Sequence, residues 1–320
     1  MATQPEEQKS ARRRTLSMVI PVYFNAESLP VFVAELKKFE ADLNRLNIGF
    51  ELIFVDDGSG DDSYQKLLEH KKERPGTKLI RLSRNFGAPA ALKTGLKFVT
   101  GDCFMFFAAD LQEPLEQVLR MVKEWTQGHK LVISARESRA DPLMTRAFAA
   151  MFRALVRLTV RRDYPSGGIG LVLMDKIMLP LMTSSAKHIN PNVYAFWLGF
   201  NPKILSYNRL KRMHGASRWT FRKRLQYFID TMTGFSVVPI RLITAMGFIT
   251  ATASLLYAAY IFIAALFGEI AVTGFATLII VIAFLGGCIM IMLGIIGEYL
   301  WRIFDQVSGR PEAVIAEELL

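Results

Sequence analysis

Asp56-Asp57-Gly58-Ser59 is the densest run of reactive side chains in the sequence, because two adjacent carboxylates directly follow the stretch Phe50–Val55, apolar except at Glu51. A buried strand that stops at two aspartates presents them where a nucleobase or a ribose hydroxyl can be hydrogen-bonded. The same residues also suit an Asx-rich turn with solvated acids, so the run by itself leaves both readings open. A second acid-bearing strand end favours binding: Asp110, with Gln112 two residues on, follows the apolar run Cys103–Phe107. A carboxylate in that place can hold a divalent cation against a diphosphate. The four histidines sit in unrelated contexts, without the Ser or Cys partners of nucleophilic catalysis. Cys103 and Cys288 have neither metal-ligand spacing nor a plausible shared disulfide, which fits a reducing cytoplasm.

The elements that must position these acids follow from periodicity. Leu16–Val22 is a short β-branched run, and after a polar turn Leu29, Phe32, Val33, Leu36 and Phe39 recur at helical spacing. Strand Phe50–Val55 leads to helix Tyr64–Lys72, strand Thr77–Leu82 to helix Ala88–Val99, and strand Cys103–Phe107 to helix Pro114–Trp125, which starts with proline. Leu131–Ala135 closes the series. Alternation of this kind predicts an α/β fold with a mostly parallel, Rossmann-like sheet covered on both faces, and ligands in such sheets gather at the carboxyl ends of the strands. The acidic clusters sit at those ends.

The last third has a different composition. No lysine or arginine occurs from Leu242 to Leu300, although the flanks are rich in both. Leu242–Phe267 and Phe275–Leu300 are each longer than the ~20 apolar residues that cross a bilayer. Arg241 and Arg302 flank the pair, and only Glu269 lies in the short connection, so the positive-inside rule places both ends in the cytoplasm. Just before the first span, Phe221, Leu225, Phe228, Ile229, Met232 and Phe235 form one helical face and Arg222, Lys223, Arg224 and Asp230 the other. Such a helix lies in the headgroup plane or is an ordinary domain helix with a core-facing stripe. Glu269 and Glu298 fall at span ends, where snorkelling or capping accounts for them.

The 320 residues leave about 220 ahead of the hairpin, enough for one domain with a full core. A net charge of +10 suits nucleic acid, an anionic membrane face or a phosphorylated substrate equally. Residues through Arg14 are polar and basic without an apolar segment, so they read as a disordered tail and not as a targeting peptide. Arg146, Arg153, Arg157 and Arg161 recur on one helical stripe, with Phe148, Met151, Phe152, Leu155 and Leu158 on the other faces. That stripe suits a lipid phosphate surface, although for Arg153, Arg157 and Arg161 a solvated face is the commoner outcome.

Six segments in order resemble one family: Ile20-Pro21-Val22-Tyr23 with Asn25 and Glu27; Phe54-Val55-Asp56-Asp57-Gly58-Ser59; Leu82-Ser83-Arg84-Asn85-Phe86-Gly87; Ala109-Asp110-Leu111-Gln112-Glu113-Pro114; Gly215-Ala216-Ser217-Arg218-Trp219-Thr220-Phe221-Arg222; and Gly297-Glu298-Tyr299-Leu300 with Arg302. They are similar to the GT-A glycosyltransferases of family 2, specifically the polyprenyl-phosphate glycosyltransferases related to dolichyl-phosphate mannose synthase and the bactoprenol glucosyltransferases. The resemblance implies a GT-A catalytic domain over residues 15–216, an amphipathic juxtamembrane helix over 217–240, two transmembrane helices over 241–302 and a cytoplasmic tail over 303–320. It implies an inverting transfer of a sugar from a nucleotide diphosphate, UDP-glucose or a UDP-N-acetylhexosamine, to polyprenyl (undecaprenyl) phosphate at the cytoplasmic face of a bacterial inner membrane. Pro21, Tyr23, Glu27, Asp56 and Asp57 would then surround the nucleotide with Arg84 nearby, while Asp110 and Gln112 would hold Mg²⁺ or Mn²⁺. Asp110, Gln112, Arg136 and Arg146 would serve catalysis, and Arg212, Ser217 and Arg218 the acceptor phosphate. The partners implied are a nucleotide sugar, a polyprenyl phosphate, the lipid bilayer and further copies of the chain in a homo-oligomer, with no nucleic acid.

Two departures from the family pattern stand out. Ala108-Ala109-Asp110 replaces the usual Asp-x-Asp, which leaves one acidic ligand, and Gly167-Gly168-Ile169-Gly170 lacks the aspartate that relatives carry near Gly170. Both raise the alternative of a catalytically silent membrane scaffold. A processive polysaccharide synthase is the other rival, but it needs more spans and a Gln-x-x-Arg-Trp motif, whereas Gly215 stands where that glutamine belongs before Arg218-Trp219.

Overall fold

The computed structural model describes residues 12–136, 150, 153–154, 156–158, 160–187, 189–208, 221–235, 238–267 and 274–320. Two compact units result: the first runs to Leu225 and takes in Pro311–Leu320 again, and the second is Gln226–Arg310.

The first unit is built on an eight-stranded sheet. Its strands are β1 (Arg14–Val22), β2 (Ile48–Asp56), β3 (Lys78–Leu82), β4 (Cys103–Phe106), β5 (Leu131–Arg136), β6 (Ile169–Asp175), β7 (Pro202–Tyr207) and β8 (Ile315–Leu319). They lie in the order β7-β5-β6-β4-β1-β2-β3-β8. The four central strands β4, β1, β2 and β3 are parallel neighbours, as the alternation of apolar strand and amphipathic helix predicts. Leu16 and Met18 to Ile20 in β1 and Ile53 to Val55 in β2 are fully buried, the continuous apolar pattern of strands covered on both faces.

Helices α1 (Leu29–Arg45), α2 (Ser63–Glu73), α3 (Ala88–Leu96) and α4 (Leu115–Thr126) connect successive strands. The α1 side chains Leu29, Phe32, Leu36, Phe39 and Leu43 are buried, and Phe32 stacks on Phe107 beyond β4 at 6.0 Å. These contacts lock the helix over the strand ends that carry the acids.

The series does not close at β5. β6 runs antiparallel between β4 and β5, β7 is parallel to β5 on the outer edge, and β8 is antiparallel to β3 on the other edge. A regular alternation of strand and helix predicts parallel neighbours, so it does not reveal β6 and β8, which run antiparallel to theirs. Residues 303–320, a tail by sequence, hold the end of a long helix and all of β8, whose Ile-Ala-Glu-Glu-Leu sequence carries the charge typical of an edge strand. Short helices α5 (Leu179–Thr183) and α6 (Pro191–Trp197) follow β6.

His70 on α2 is a buried base with no hydrogen bond to either ring nitrogen, set edge-on to Phe54 at 5.9 Å. Burial, and then the Arg74 charge, hold its pKa below the ordinary histidine value. The folded unit therefore resists protonation that the unfolded chain accepts near pH ~6.5, and stability falls as pH drops below that value. We expect the melting temperature to decline between pH 7 and 5, and His70→Leu to flatten that decline while raising stability at pH 5. Identical slopes in wild type and variant would refute the assignment.

In the second unit, α7 (Phe221–Phe235) precedes α8 (Val238–Leu266) and α9 (Phe275–Val307). The stretches Ile240–Tyr257 and Phe284–Val307 are long and apolar enough to cross a membrane, and Phe248, Leu256, Tyr260 and Phe284 expose most of their surface. Glu298 is more than an end-of-span acid. Arg302 Nη2 donates to Glu298 Oε1 at 2.8 Å and to Asp230 Oδ1 of α7 at 2.6 Å, so one guanidinium ties α7 to α9.

Candidate active site

The parallel register fixes where the acids emerge. Val22 is level with Asp56, and Asp56 with Arg81, so the loops that begin at Tyr23, Asp57 and Ser83 leave one edge of the sheet together. Val19 is level with Phe106, which places the loop carrying Asp110 at that same edge. The chain runs from β1 outward through β2 and β3, then returns to the far side of β1 as β4. A crevice opens at such a reversal, at the carboxyl ends of the strands.

The loops on this edge are stapled to one another. Phe24 N–H donates to Ser59 Oγ at 3.1 Å, Asn25 N–H to Ser63 Oγ at 2.8 Å and Ala26 N–H to Asp61 Oδ2 at 3.2 Å. Gly58 has φ +68°, and a Cβ there would lie 2.5 Å from the Arg84 carbonyl carbon, so only glycine lets the aspartate turn meet the loop after β3. Asp57 is spent on that loop: its carboxylate accepts Phe86 N–H at 2.7 Å and Gly87 N–H at 2.9 Å. It organises the segment carrying Arg84.

Asp56 is fully buried and accepts Ser59 N–H at 3.3 Å, with Arg81 Nε 3.7 Å from its Oδ2. Burial pushes the Asp56 carboxyl above its ordinary range, against Ser59 and Arg81, which favour the charged form. Asp57 is raised as well, by burial first and then by the Asp56 charge. Pro21 and Tyr23 are half-buried, whereas Glu27 and Arg84 are exposed, with the Arg84 guanidinium 4.2 Å over the Phe86 ring.

Beyond β4, Asp110 Oδ1 accepts Gln112 N–H at 3.2 Å, which folds the loop so that both predicted cation ligands share one turn. The next residue, Glu113, is buried. Arg136, the last residue of β5, donates from Nη2 to Glu113 Oε1 and from Nε to Tyr207 Oη, each at 3.2 Å. Tyr207 ends the neighbouring β7, with its hydroxyl beside both Arg136 and Glu113. Burial, and then Glu113, push its hydroxyl up to about 12. Burial opposes the Arg136 charge, yet Tyr207 and Glu113 outweigh it and hold the guanidinium pKa above its usual value. The glycines after the second departure now have a cause. A Cβ at Gly170 would lie 2.3 Å from Tyr207 Oη, and one at Gly167 would lie 1.7 Å from the Arg136 carbonyl oxygen. The space at Gly170 belongs to the tyrosine.

Pro21, Tyr23, Glu27, Asp56, Asp57, Arg84, Asp110, Gln112 and Arg136 all emerge at this one sheet edge. Arg146, Arg212, Ser217 and Arg218 lie outside the described residues. At the described end of the arginine stripe Arg157 is exposed and Arg161 half-buried, and both also make contacts within the unit. Arg157 Nε donates to Tyr164 O at 2.9 Å, while Arg161 pairs with Asp163, donates to Phe196 O and stacks 4.6 Å over the Phe196 ring. These two hold the chain between β5 and β7, because carbonyls left open by irregular backbone need donors. Glu113, Tyr207 and Arg81 were not singled out in the sequence. Glu113 stood inside the quoted motif, whereas Tyr207 and Arg81 carried no local signal.

Comparison with known proteins finds relatives along most of the chain. The family model described as glycosyl transferase family 2 matches residues 17–166. A glycosyltransferase of Synechocystis sp. is 31% identical over 309 residues, covering 94% of this chain and 95% of its own length. The SfII prophage-derived bactoprenol glucosyl transferase of Shigella flexneri is 28% identical over 302 residues, with 94% and 97% covered. Among solved structures, the mannosyltransferase PcManGT from Pyrobaculum calidifontis, in complex with GDP-Man and Mn²⁺, matches at 16% identity and a TM-score of 0.47, over 68% of this chain and 61% of that one.

Proposed function

Because the chain belongs to glycosyl transferase family 2 and is a glycosyltransferase, we propose that it moves a sugar from a nucleotide diphosphate donor, UDP-glucose or a UDP-N-acetylhexosamine, to polyprenyl (undecaprenyl) phosphate at the cytoplasmic face of the membrane. The observation that carries this reading is one chain joining an acid-bearing sheet edge to two exposed apolar helices. A lipid acceptor keeps its tail in the bilayer, so its enzyme must work at the membrane surface. The chain leaves the first unit near Leu225 and re-enters it at Pro311, which supports a two-span hairpin with both ends on one side. The Lys/Arg-free interval with basic flanks supports the cytoplasmic side. The bactoprenol glucosyl transferase of Shigella flexneri supports both the lipid and a glucosyl donor.

Asp56 would hydrogen-bond the nucleoside, with Tyr23 and Arg84 on the adjoining loops. One carboxylate and one amide oxygen on a single turn, at Asp110 and Gln112, fit a hard cation that keeps several waters and takes further ligands from substrate phosphates. Among the described residues no group of three acidic, histidine or cysteine side chains forms a self-sufficient site, and on this reading the donor diphosphate would complete the shell. Bound there, Mg²⁺ or Mn²⁺ supplies charge neutralisation for the leaving diphosphate.

The acceptor phosphate is already anionic at neutral pH and needs no dedicated general base. One of its oxygens attacks the anomeric carbon, the bond to the diphosphate oxygen breaks, and the electron pair leaves with the nucleoside diphosphate. Configuration inverts. Arg136 offers a fixed positive charge at the edge where the phosphates meet, and its preorganisation by Glu113 and Tyr207 means it need not reorient as charge moves.

Purified protein with undecaprenyl phosphate and a panel of radiolabelled nucleotide sugars tests the proposal. Label should enter the lipid phase from one donor, and no lipid label from any donor would overturn it.

A further inference from the structure

The last strand offers more than an edge cover. β8 pairs with β3 so that Glu317 lies directly opposite Arg81, which puts the two side chains on the same face of the sheet. Arg81 also sits with its guanidinium 4.4 Å over the Tyr64 ring and its Nε 3.7 Å from Asp56 Oδ2. Tyr64 Oη makes no hydrogen bond of normal geometry, yet burial and then the adjacent Glu317 carboxylate hold its pKa above the ordinary value. Two further contacts fasten the C-terminal segment: Ser83 N–H donates to Val314 O at 2.9 Å, and Lys93 on α3 pairs with Glu312 at 2.8 Å.

A guanidinium with 42% of its side chain exposed, 3.7 Å from one carboxylate, is weakly held by that contact alone. Its place is set by the Tyr64 face below and the opposite charge across the strand pair. We propose that Arg81 is a positioning residue for Asp56 and that Glu317 fixes Arg81 in that role, so that the C-terminal strand is a working part of the donor site. This rests on the reading that Asp56 faces the nucleotide. The strand begins within a few residues of the end of α9, so the element that completes the donor site is the continuation of an apolar helix.

The test is direct nucleotide binding by calorimetry on the full-length chain in detergent, with UDP and GDP as probes and no lipid present. Glu317→Gln and Arg81→Gln should each weaken the tighter-binding nucleotide about five-fold or more. The double variant should be no weaker than Arg81→Gln alone, because coupled residues are non-additive. In turnover assays the donor KM should rise while the lipid KM stays level. Glu318, opposite Ile80, points to the other face, and Glu318→Gln should bind as wild type does. A strand that merely covers the edge predicts equal effects at 317 and 318, tracking melting temperature instead of affinity. Wild-type affinity in Glu317→Gln, or an equal loss in Glu318→Gln, overturns the inference. Asp56→Asn separates the two levels. If it binds nucleotide like wild type, the donor-site reading itself fails; if it binds poorly while both Arg81→Gln and Glu317→Gln bind normally, only the role of the strand fails.

Discussion

Asp110→Asn should lower sugar transfer at least ~100-fold, the scale on which a major electrostatic contributor to a transition state is lost. The substitution is chosen because the turn survives it. Asn keeps the Oδ1 that accepts Gln112 N–H at 3.2 Å, so the turn is kept while one negative charge is removed. The melting temperature should therefore be unchanged, and nucleotide binding should lose its dependence on added Mg²⁺ or Mn²⁺. Retained activity with an undiminished metal requirement would remove Asp110 from the site. Ala108→Asp poses the complementary question. Ala108 is exposed, so an acid there has no burial penalty. It should strengthen metal affinity, because it restores the second carboxylate that the family pattern carries.

Arg136→Ala should be equally damaging to turnover, again ~100-fold or more, and should also cost about 3–5 kcal/mol of stability, the range for breaking a buried ion pair by removing one partner. Glu113 is the reason: its side chain is only 8% exposed, and the variant takes away the Arg136 guanidinium that pairs with it. The double variant Glu113→Gln/Arg136→Met separates the two effects. It removes both charges, so most of the stability should return, whereas activity should not. Recovery of transfer together with stability would show that Arg136 acts only as a structural counter-ion, and its place in the proposed phosphate chemistry would have to be given up.

Both predictions depend on residues at strand ends, and strand ends were the part of this protein most open to sequence reading. β1 to β5 and α1 to α4 announce themselves because a strand buried on both faces must be apolar throughout, and a covering helix must repeat its apolar residues every three or four positions. Asp56, Asp110 and Arg136 could be picked out as polar residues that interrupt or end such runs. β7 and β8 carry little apolar signal, since a partly exposed edge strand mixes polar with apolar residues, and β6 runs antiparallel to both its neighbours, outside the parallel strand-helix alternation. The hydrogen bonds of Asp57 are not legible locally, because the Phe86 and Gly87 amides that it accepts come from another loop.

The sequence by itself determined the class of the first unit, the position of the apolar helices and the edge at which the acids emerge, because each depends on local composition and period. Only the tertiary structure decided that Tyr207 fills the space over Gly170, that Glu113 rather than solvent balances Arg136, and that Glu317 returns from the far end of the chain to stand opposite Arg81. Those pairings join residues 23 to 236 positions apart. Sheet order sets them, and sheet order results from the packing of the whole unit, for which no single segment carries a signal.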